Sequence, residues 1–305
     1  MTFGNRLDRY LIKNGFSAQW PLLTLSLIEA RRIATAPWAY LGYRRAARAI
    51  TAGSTWADFV SRDQGYRLFS SETFRELPEI VAACQAVFAR HEAEVTDVNA
   101  YGKPYFFNIL TVEDLRQHSV FVDFALSTAV TEAVTGYLGQ IPRLNSIGVF
   151  YTSINETVDG SQMYHADGDA LAQIKCFVNA WDVGPGSGAF TFLPKPDTSR
   201  MLRSGGLLKT LSDEDVLQIV PVEKQVSAVG VLGSGVFVDT SRCLHQGSRA
   251  RTQPRLVFQF QYVSRPDALL AKAPGKGVSG GHLLITRQLI EGLSLSNPKA
   301  LSFVD

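Results

Sequence analysis

Cysteine is scarce: Cys84, Cys176 and Cys243 are the only three in 305 residues, far apart and with no CxxC pair. That excludes a disulfide-framed scaffold and a zinc ribbon, and it fits a reducing compartment. An excess of charge of one sign is lacking too. The formal net charge of +2 is too small for a nucleic-acid-binding surface. No apolar run approaches the ~18 residues of a membrane-spanning helix. The opening MTFGNRLDRYLIKNGF lacks the charged, then continuously apolar pattern of a secretory signal. The expectation is a cytoplasmic protein with no transmembrane segment and no nucleic-acid partner. Internal repeats and low-complexity stretches are absent as well.

What is present reads as an ordinary globular chain, 46% hydrophobic and 19% charged. Basic residues gather at Arg31, Arg32, Arg44, Arg45 and Arg48. A solvated helix face accounts for them, and contact with an acidic partner or a membrane surface is the alternative. The first 142 residues read mainly as helix. In Pro78 to Glu92, Ile80, Cys84, Val87 and Phe88 share one helical face. Thr128 to Leu138 follows, with Ser127 as N-cap and Gly139 as stop.

After Pro142 the texture changes to short β-rich runs: Asn145 to Ile154, Gln173 to Trp181, Gly188 to Leu193, Gln225 to Leu232, Gly235 to Asp239 and Arg255 to Val263. A short helical insertion, Leu211 to Val220, opens at Ser212. Helices first and strands afterwards predict an antiparallel sandwich or barrel with helices on one side. No linker separates the halves, so 1–305 reads as a single domain: a helical part (1–142), a β core (143–263) and a C-terminal tail (264–305).

Two strands have distinct faces. Gln173, Lys175, Phe177, Asn179 and Trp181 oppose Ile174, Cys176, Val178 and Ala180; Arg255, Val257, Gln259 and Gln261 oppose Leu256, Phe258, Phe260 and Tyr262. The apolar faces suit the N-terminal helices. The polar faces line a cavity or meet solvent, with Lys175 and Gln261 the first candidates for solvation.

The segment Tyr164-His165-Ala166-Asp167 places a histidine and a carboxylate two residues apart. On extended chain they point the same way, and an imidazole with a carboxylate supplies two ligands of the facial triad of non-haem iron(II) oxygenases. His245, 80 residues further on, is the candidate for the third. Of the other histidines, His91 lies in a charged helical run, His118 in a polar stretch and His282 after a glycine-rich loop; these read as surface or structural. Ten residues past His245, Arg255 opens a strand on the cavity side. Buried alone, its charge would be costly, so it implies an anionic partner. Arg249 and Arg251 are rival anchors that a loop would leave in solvent.

With these residues the chain resembles the phytanoyl-CoA dioxygenase family of iron(II)/2-oxoglutarate oxygenases. The resemblance rests on YHADGD, IKCFVNAWDVGPGSGAFTFLPKPDTSR and GSGVFVDTSRCLHQGSRARTQPRLVFQFQY, over about residues 143 to 263. It implies a double-stranded β-helix (jelly-roll, cupin-like) core, mainly β with α, with the N-terminal helices packed on one sheet. It further implies that His165, Asp167 and His245 bind Fe(II), that Arg255 clamps the distal carboxylate of 2-oxoglutarate, and that Trp181 forms the pocket wall beside it. Gln162 and Ser248 are further candidates for polar contact with the co-substrate. Two departures stand out: Leu193-Pro194-Lys195-Pro196-Asp197 replaces a Gly-Ser-His loop, and Gly-Ser-Gly replaces a Gly-Asp turn.

The implied enzyme is a dioxygenase that consumes 2-oxoglutarate and O2, releases succinate and CO2, and hydroxylates an unactivated C–H bond of a small molecule. Asp167 stands where related halogenases carry a small residue. Desaturation or cyclisation at the same iron, a cupin-like enzyme working without 2-oxoglutarate, and a non-catalytic jelly-roll binding module are the other readings. Arg255 discriminates against the last two. Substrate and oligomeric state are not legible. The segment with Lys195, Arg200, Arg203 and Lys209 has a basic lean that suits a solvated loop or an anionic substrate.

Overall fold

Alternation along the strands decides which way each side chain faces, and the sheets follow from it. The computed structural model describes residues 30, 33–34, 37–95, 105–167, 170, 172–203, 210–264 and 283–304. Arg31, Arg32, Lys209 and His282, all weighed from the sequence, lie outside the described residues.

The helices are α1 (Pro37–Thr51), α2 (Leu77–Val95), α3 (Val112–Gln117), α4 (Val120–Ala125), α5 (Thr128–Leu138), α6 (Lys195–Arg203), α7 (Asp213–Leu217) and α8 (Arg287–Ile290). The strands are β1 (Tyr66–Phe69), β2 (Phe107–Asn108), β3 (Pro142–Thr152), β4 (Gln173–Asn179), β5 (Thr191–Phe192), β6 (Val226–Ser227), β7 (Gly235–Val238), β8 (His245–Gln246), β9 (Arg255–Ser264) and β10 (Leu283–Leu284). The major sheet runs β1-β7-β4-β9-β3-β10, with β2 also on β3; the minor sheet runs β6-β5-β8. All pairings are antiparallel.

From β3 onward the chain alternates between the sheets. β3 lies in the major sheet, and Tyr164-His165 bridges to Leu211 and His245 beside the minor one. β4 returns to the major sheet, β5 and β6 to the minor, β7 to the major, β8 to the minor and β9 to the major. This winding is a double-stranded β-helix. Among the described residues the two sheets do not join into a closed barrel.

The apolar faces go where alternation sends them. Ile174, Cys176, Val178, Leu256, Phe258, Phe260 and Tyr262 join Ile80, Cys84 and Val87 of α2, Phe121 and Phe124 of α4, and Val130 and Val134 of α5 in the larger core. On the other face, Phe150, Phe177, Val236, Val238 and Val257 meet Phe190 and Phe192 of the minor sheet in a second core. Burying helix–sheet and sheet–sheet contacts on opposite faces of one sheet explains why all ten residues of β9 are buried.

Several elements differ from the sequence expectation. The run 225–232 pairs as a strand at Val226–Ser227 and again through a single bridge between Gly230 and Val183; the chain then turns at Gly233 (φ 80°), and Val229, Val231 and Leu232 are exposed. The supposed loop after Leu193-Pro194 is helix α6, where Asp197 is buried, Arg200 pairs with it, and Lys195 Nζ donates to the Arg62 carbonyl at 2.9 Å. Within the C-terminal tail, the described residues 283–304 pack on the sheet. β10 caps the edge of β3, and Ile285, Ile290, Phe303 and Val304 enter the larger core. Helix α5 starts at Ser127, whose Oγ accepts from Val130 N, and ends at Gly139 with φ 66°.

Gly136, inside α5, gives a test in which packing opposes propensity. Alanine normally stabilises a helix interior by about 1 kcal/mol over glycine. Here a Cβ would lie 1.9 Å from the Ala57 carbonyl oxygen. Gly136→Ala is therefore expected to lower stability by about 1–3 kcal/mol, read as a reduced urea midpoint; a raised midpoint would show that α5 is not pressed against residue 57.

Candidate metal centre

Two short backbone bonds assemble the centre. His165 N donates to the His245 carbonyl and His245 N to the His165 carbonyl, both at 2.9 Å. This hydrogen-bonded antiparallel pair sets the imidazole centroids 4.3 Å apart. Asp167 N donates to the Thr240 carbonyl at 2.9 Å, which ties the carboxylate to the loop leading into β8.

Both histidines carry the same local device. His165 Nδ1 lies 2.9 Å from the Met163 carbonyl, and His245 Nδ1 lies 3.0 Å from the Cys243 carbonyl. A carbonyl only accepts, so each Nδ1 carries a proton, and this fixes the tautomer in which a neutral ring keeps its lone pair on Nε2. Those Nε2 atoms face Asp167: His165 Nε2 is 3.9 Å from Oδ1, and His245 Nε2 is 3.8 Å from Oδ2. Ligand atoms about 2.1 Å from one ion stand at most about 4.2 Å apart, so both spacings suit a shared cation. Among the described residues, these three form the group of histidine, cysteine and acidic side chains that could hold a metal ion.

Electrostatics prepares the same set. Burial, opposed in part by Asp167, pushes His245 down to about 3, so its ring is neutral at physiological pH. Burial alone would raise the Asp167 carboxyl, but the Lys175 ammonium beside it outweighs this and holds the group well below the usual carboxylate range. Phe190 lies against the His245 ring with centroids 5.1 Å apart and stacks on Phe177 at 4.4 Å, giving the site an aromatic wall.

Arg255 is 3% exposed. Its Nη2 donates to Ser248 Oγ at 3.2 Å, its Nε is buried without a partner, and among the described residues no carboxylate pairs with it. Burial lowers the guanidinium to about 10, which leaves it cationic at neutral pH. A Cβ on Gly247 would lie 3.8 Å from Arg255 Nη2. Residues i and i+2 of extended chain lie about 7 Å apart, so the fork stands roughly that far along the chain from His245.

The other sequence candidates divide. Ser248 touches Arg255 and has a left-handed backbone (φ 62°). Its carbonyl is gripped by Gln162 Nε2 at 2.9 Å and Asn155 Nδ2 at 3.0 Å. Gln162 is fully buried, and its Oε1 accepts from Asp159 N; its amide builds the Ser248 turn. Trp181 requires a correction. Regular β4 pairing ends at Asn179 and the chain bends, so the indole swings to the helix side, against Phe88 and Tyr151. The aromatic residue on the cavity side is Phe177. Arg249 is not solvated; it bonds Asp213 at 2.6 Å and the Gln162 carbonyl at 2.6 Å. Arg251 donates to the Asn155 and Thr157 carbonyls. His91 is satisfied by Asp114 at 2.9 Å.

Lys175 and Gln261 also differ from expectation: neither is solvated. Lys175 Nζ lies 2.8 Å from Asp167 Oδ2, and Gln261 is buried and bonded to Gln173. Gln173, which carries no role in the sequence reading, sends its Nε2 to Asp167 Oδ2 at 3.0 Å. The available signal was alternation, which put Gln173, Lys175 and Gln261 on the more polar faces of β4 and β9, opposite the apolar ones.

The depressed His245 gives a signed prediction for the metal-free protein. In the unfolded chain this histidine takes up a proton near pH 6.5, whereas the folded chain resists until about pH 3. The unfolded state then binds more protons across that window, so stability falls as pH drops from 6.5 toward 3. Urea midpoints measured against pH should show this decline, with a shallower slope in His245→Gln; an identical slope would mean that His245 is protonated in the fold.

A scan against protein-family models finds no match, and no curated protein matches the sequence. Similar solved structures do exist. The epimerase SnoN in complex with Fe3+, alpha ketoglutarate and nogalamycin RO shares 20% identity over 79% of this chain and 96% of its own, with a TM-score of 0.47. The non-heme alpha ketoglutarate dependent carbocyclase SnoK shares 16% over 78% and 98%, at 0.48. EctD from S. alaskensis with 2-oxoglutarate and 5-hydroxyectoine shares 14% over 75% and 86%, at 0.48.

Proposed function

We propose that this chain is an Fe(II)- and 2-oxoglutarate-dependent oxygenase of the phytanoyl-CoA dioxygenase type, acting as a single cytoplasmic domain on a small-molecule substrate. The observation that carries the reading is the pairing of two features on neighbouring chain: a His-Asp-His set whose ligand atoms converge, and a buried guanidinium with no carboxylate partner among the described residues. A two-nitrogen, one-oxygen donor set that covers one side of an ion suits iron(II). A metal-only cupin or a binding module has no use for Arg255.

When bound, iron and 2-oxoglutarate supply oxidative chemistry: O2 decarboxylates the 2-oxo acid to succinate and CO2 and oxidises a C–H bond. The protein's residues bind and orient. His165, Asp167 and His245 hold the metal on one side. Arg255, steadied by Ser248, takes the distal carboxylate of 2-oxoglutarate through paired hydrogen bonds. Phe177 and Phe190 keep water from the wall behind His245. Asp167 occupies a position that a halide would need, which favours hydroxylation over halogenation.

Two outcomes are expected. The purified protein should bind one Fe(II) per chain and consume 2-oxoglutarate slowly without substrate, and His165→Ala or Asp167→Ala should remove both properties; undiminished metal content in both variants would place the metal elsewhere. Arg255→Ala strips a buried carboxylate of its partner, a loss of about 3–5 kcal/mol. Anaerobic titration should then show 2-oxoglutarate binding weakened by at least about 100-fold with iron retained, while Arg251→Ala changes it little. Near-normal affinity in Arg255→Ala would assign the carboxylate to another residue.

A further inference from the structure

Asp167 is restrained on one oxygen by two donors, the buried Gln173 and the part-buried Lys175. Its Oδ2, 3.8 Å from His245 Nε2, already accepts from Lys175 Nζ at 2.8 Å and from Gln173 Nε2 at 3.0 Å, while Oδ1, with neither of those donors, faces His165 Nε2 at 3.9 Å. Gln173 ends a chain of oriented amides. Asn145 Nδ2 donates to Gln261 Oε1 at 2.9 Å, and Gln261 Nε2 donates to Gln173 Oε1 at 2.8 Å. Gln173 Nε2 then donates to Asp167 and also to Thr240 Oγ1 at 2.6 Å. Every amide turns its donor end toward Asp167, so each bond strengthens the next.

This chain crosses rigid scaffold. Its members come from β3, β9 and β4, adjacent in the major sheet. The β3–β9 register shifts between Leu144 and Ser146, so Asn145 is the extra residue of a bulge. Bulges re-aim side chains, and this one brings Asn145 to Gln261.

A carboxylate can meet a cation through one oxygen or two, and the second oxygen takes a coordination position that another ligand could use. We propose that Lys175 and Gln173 are positioning residues that hold Asp167 by Oδ2, so that it meets the metal through Oδ1 alone and leaves a position open for the 2-oxo acid. The inference rests on the iron reading above. The competing account makes Lys175 a counter-ion that only offsets the Asp167 charge, with no bearing on how the carboxylate is presented.

The two accounts part on 2-oxoglutarate binding in the iron-loaded protein. Under anaerobic conditions, Lys175→Met should keep one Fe(II) per chain but bind 2-oxoglutarate at least about tenfold more weakly, the scale typical of losing a residue that orients a ligand. Its charge-transfer absorption at saturating 2-oxoglutarate should also be weaker than in the wild type. Lys175→Arg, which keeps a cationic donor, should recover most of both. Unchanged affinity and absorption in Lys175→Met overturns the proposal and leaves a counter-ion. If Lys175→Met does not fold, Gln173→Leu carries the test with the same expectations and the same overturning result. Wild-type protein that binds no iron would sink the iron reading itself, an outcome distinct from an iron-loaded site indifferent to Lys175.

Discussion

The site depends on one reciprocal backbone pair. His165 and His245 are 80 residues apart in sequence, yet each donates its N–H to the other's carbonyl at 2.9 Å. That pair joins the segment after β3 to the minor sheet and brings two imidazoles to 4.3 Å, each with its Nδ1 on the carbonyl two residues earlier in its own chain segment. A side-chain contact could loosen with a rotamer change, whereas a backbone pair moves only if the sheet moves. Asp167, tied by its N–H to Thr240, inherits the same rigidity.

Charge is arranged around that pair with few loose ends. Lys175 answers Asp167, Asp213 answers Arg249 and, farther off, Arg90 answers Asp114. Arg255 breaks the pattern: among the described residues its buried Nε has no partner and the only side chain its guanidinium bonds is Ser248. A buried cation left without its anion is costly, and native folds carry such a cost where a ligand supplies the missing partner. The left-handed Ser248, held by Gln162 and Asn155, is a second departure from relaxed geometry at the same place. Strain of this kind persists where the surrounding structure over-determines it.

Much of this was legible in the sequence, for reasons that also mark the limits. The faces of β4 and β9 followed from alternation, because a period of two survives wherever pairing is regular. The caps of α5 followed from Ser127 and Gly139, because capping is local. The HxD spacing and the ten residues from His245 to Arg255 gave the candidate site. What stayed hidden was set by events outside the local chain. Trp181 left the cavity because pairing stops at Asn179, one bend earlier than the β-rich run suggested. Lys175 read as solvated because a lysine's partner lies across the fold, and the bulge at Asn145 depends on a register that sequence does not encode locally. Helix α6 hid behind Pro194 and Pro196, which read as loop but suit a first helical turn.

The most direct test is a crystal structure of the protein grown anaerobically with Mn(II), a redox-silent stand-in for iron(II), and 2-oxoglutarate. One ion should lie within bonding distance of His165 Nε2, His245 Nε2 and Asp167 Oδ1, with the 2-oxo acid chelating it and its distal carboxylate on Arg255. An ion bound away from these three side chains, or 2-oxoglutarate bound with Arg255 left empty-handed, would contradict the central claim.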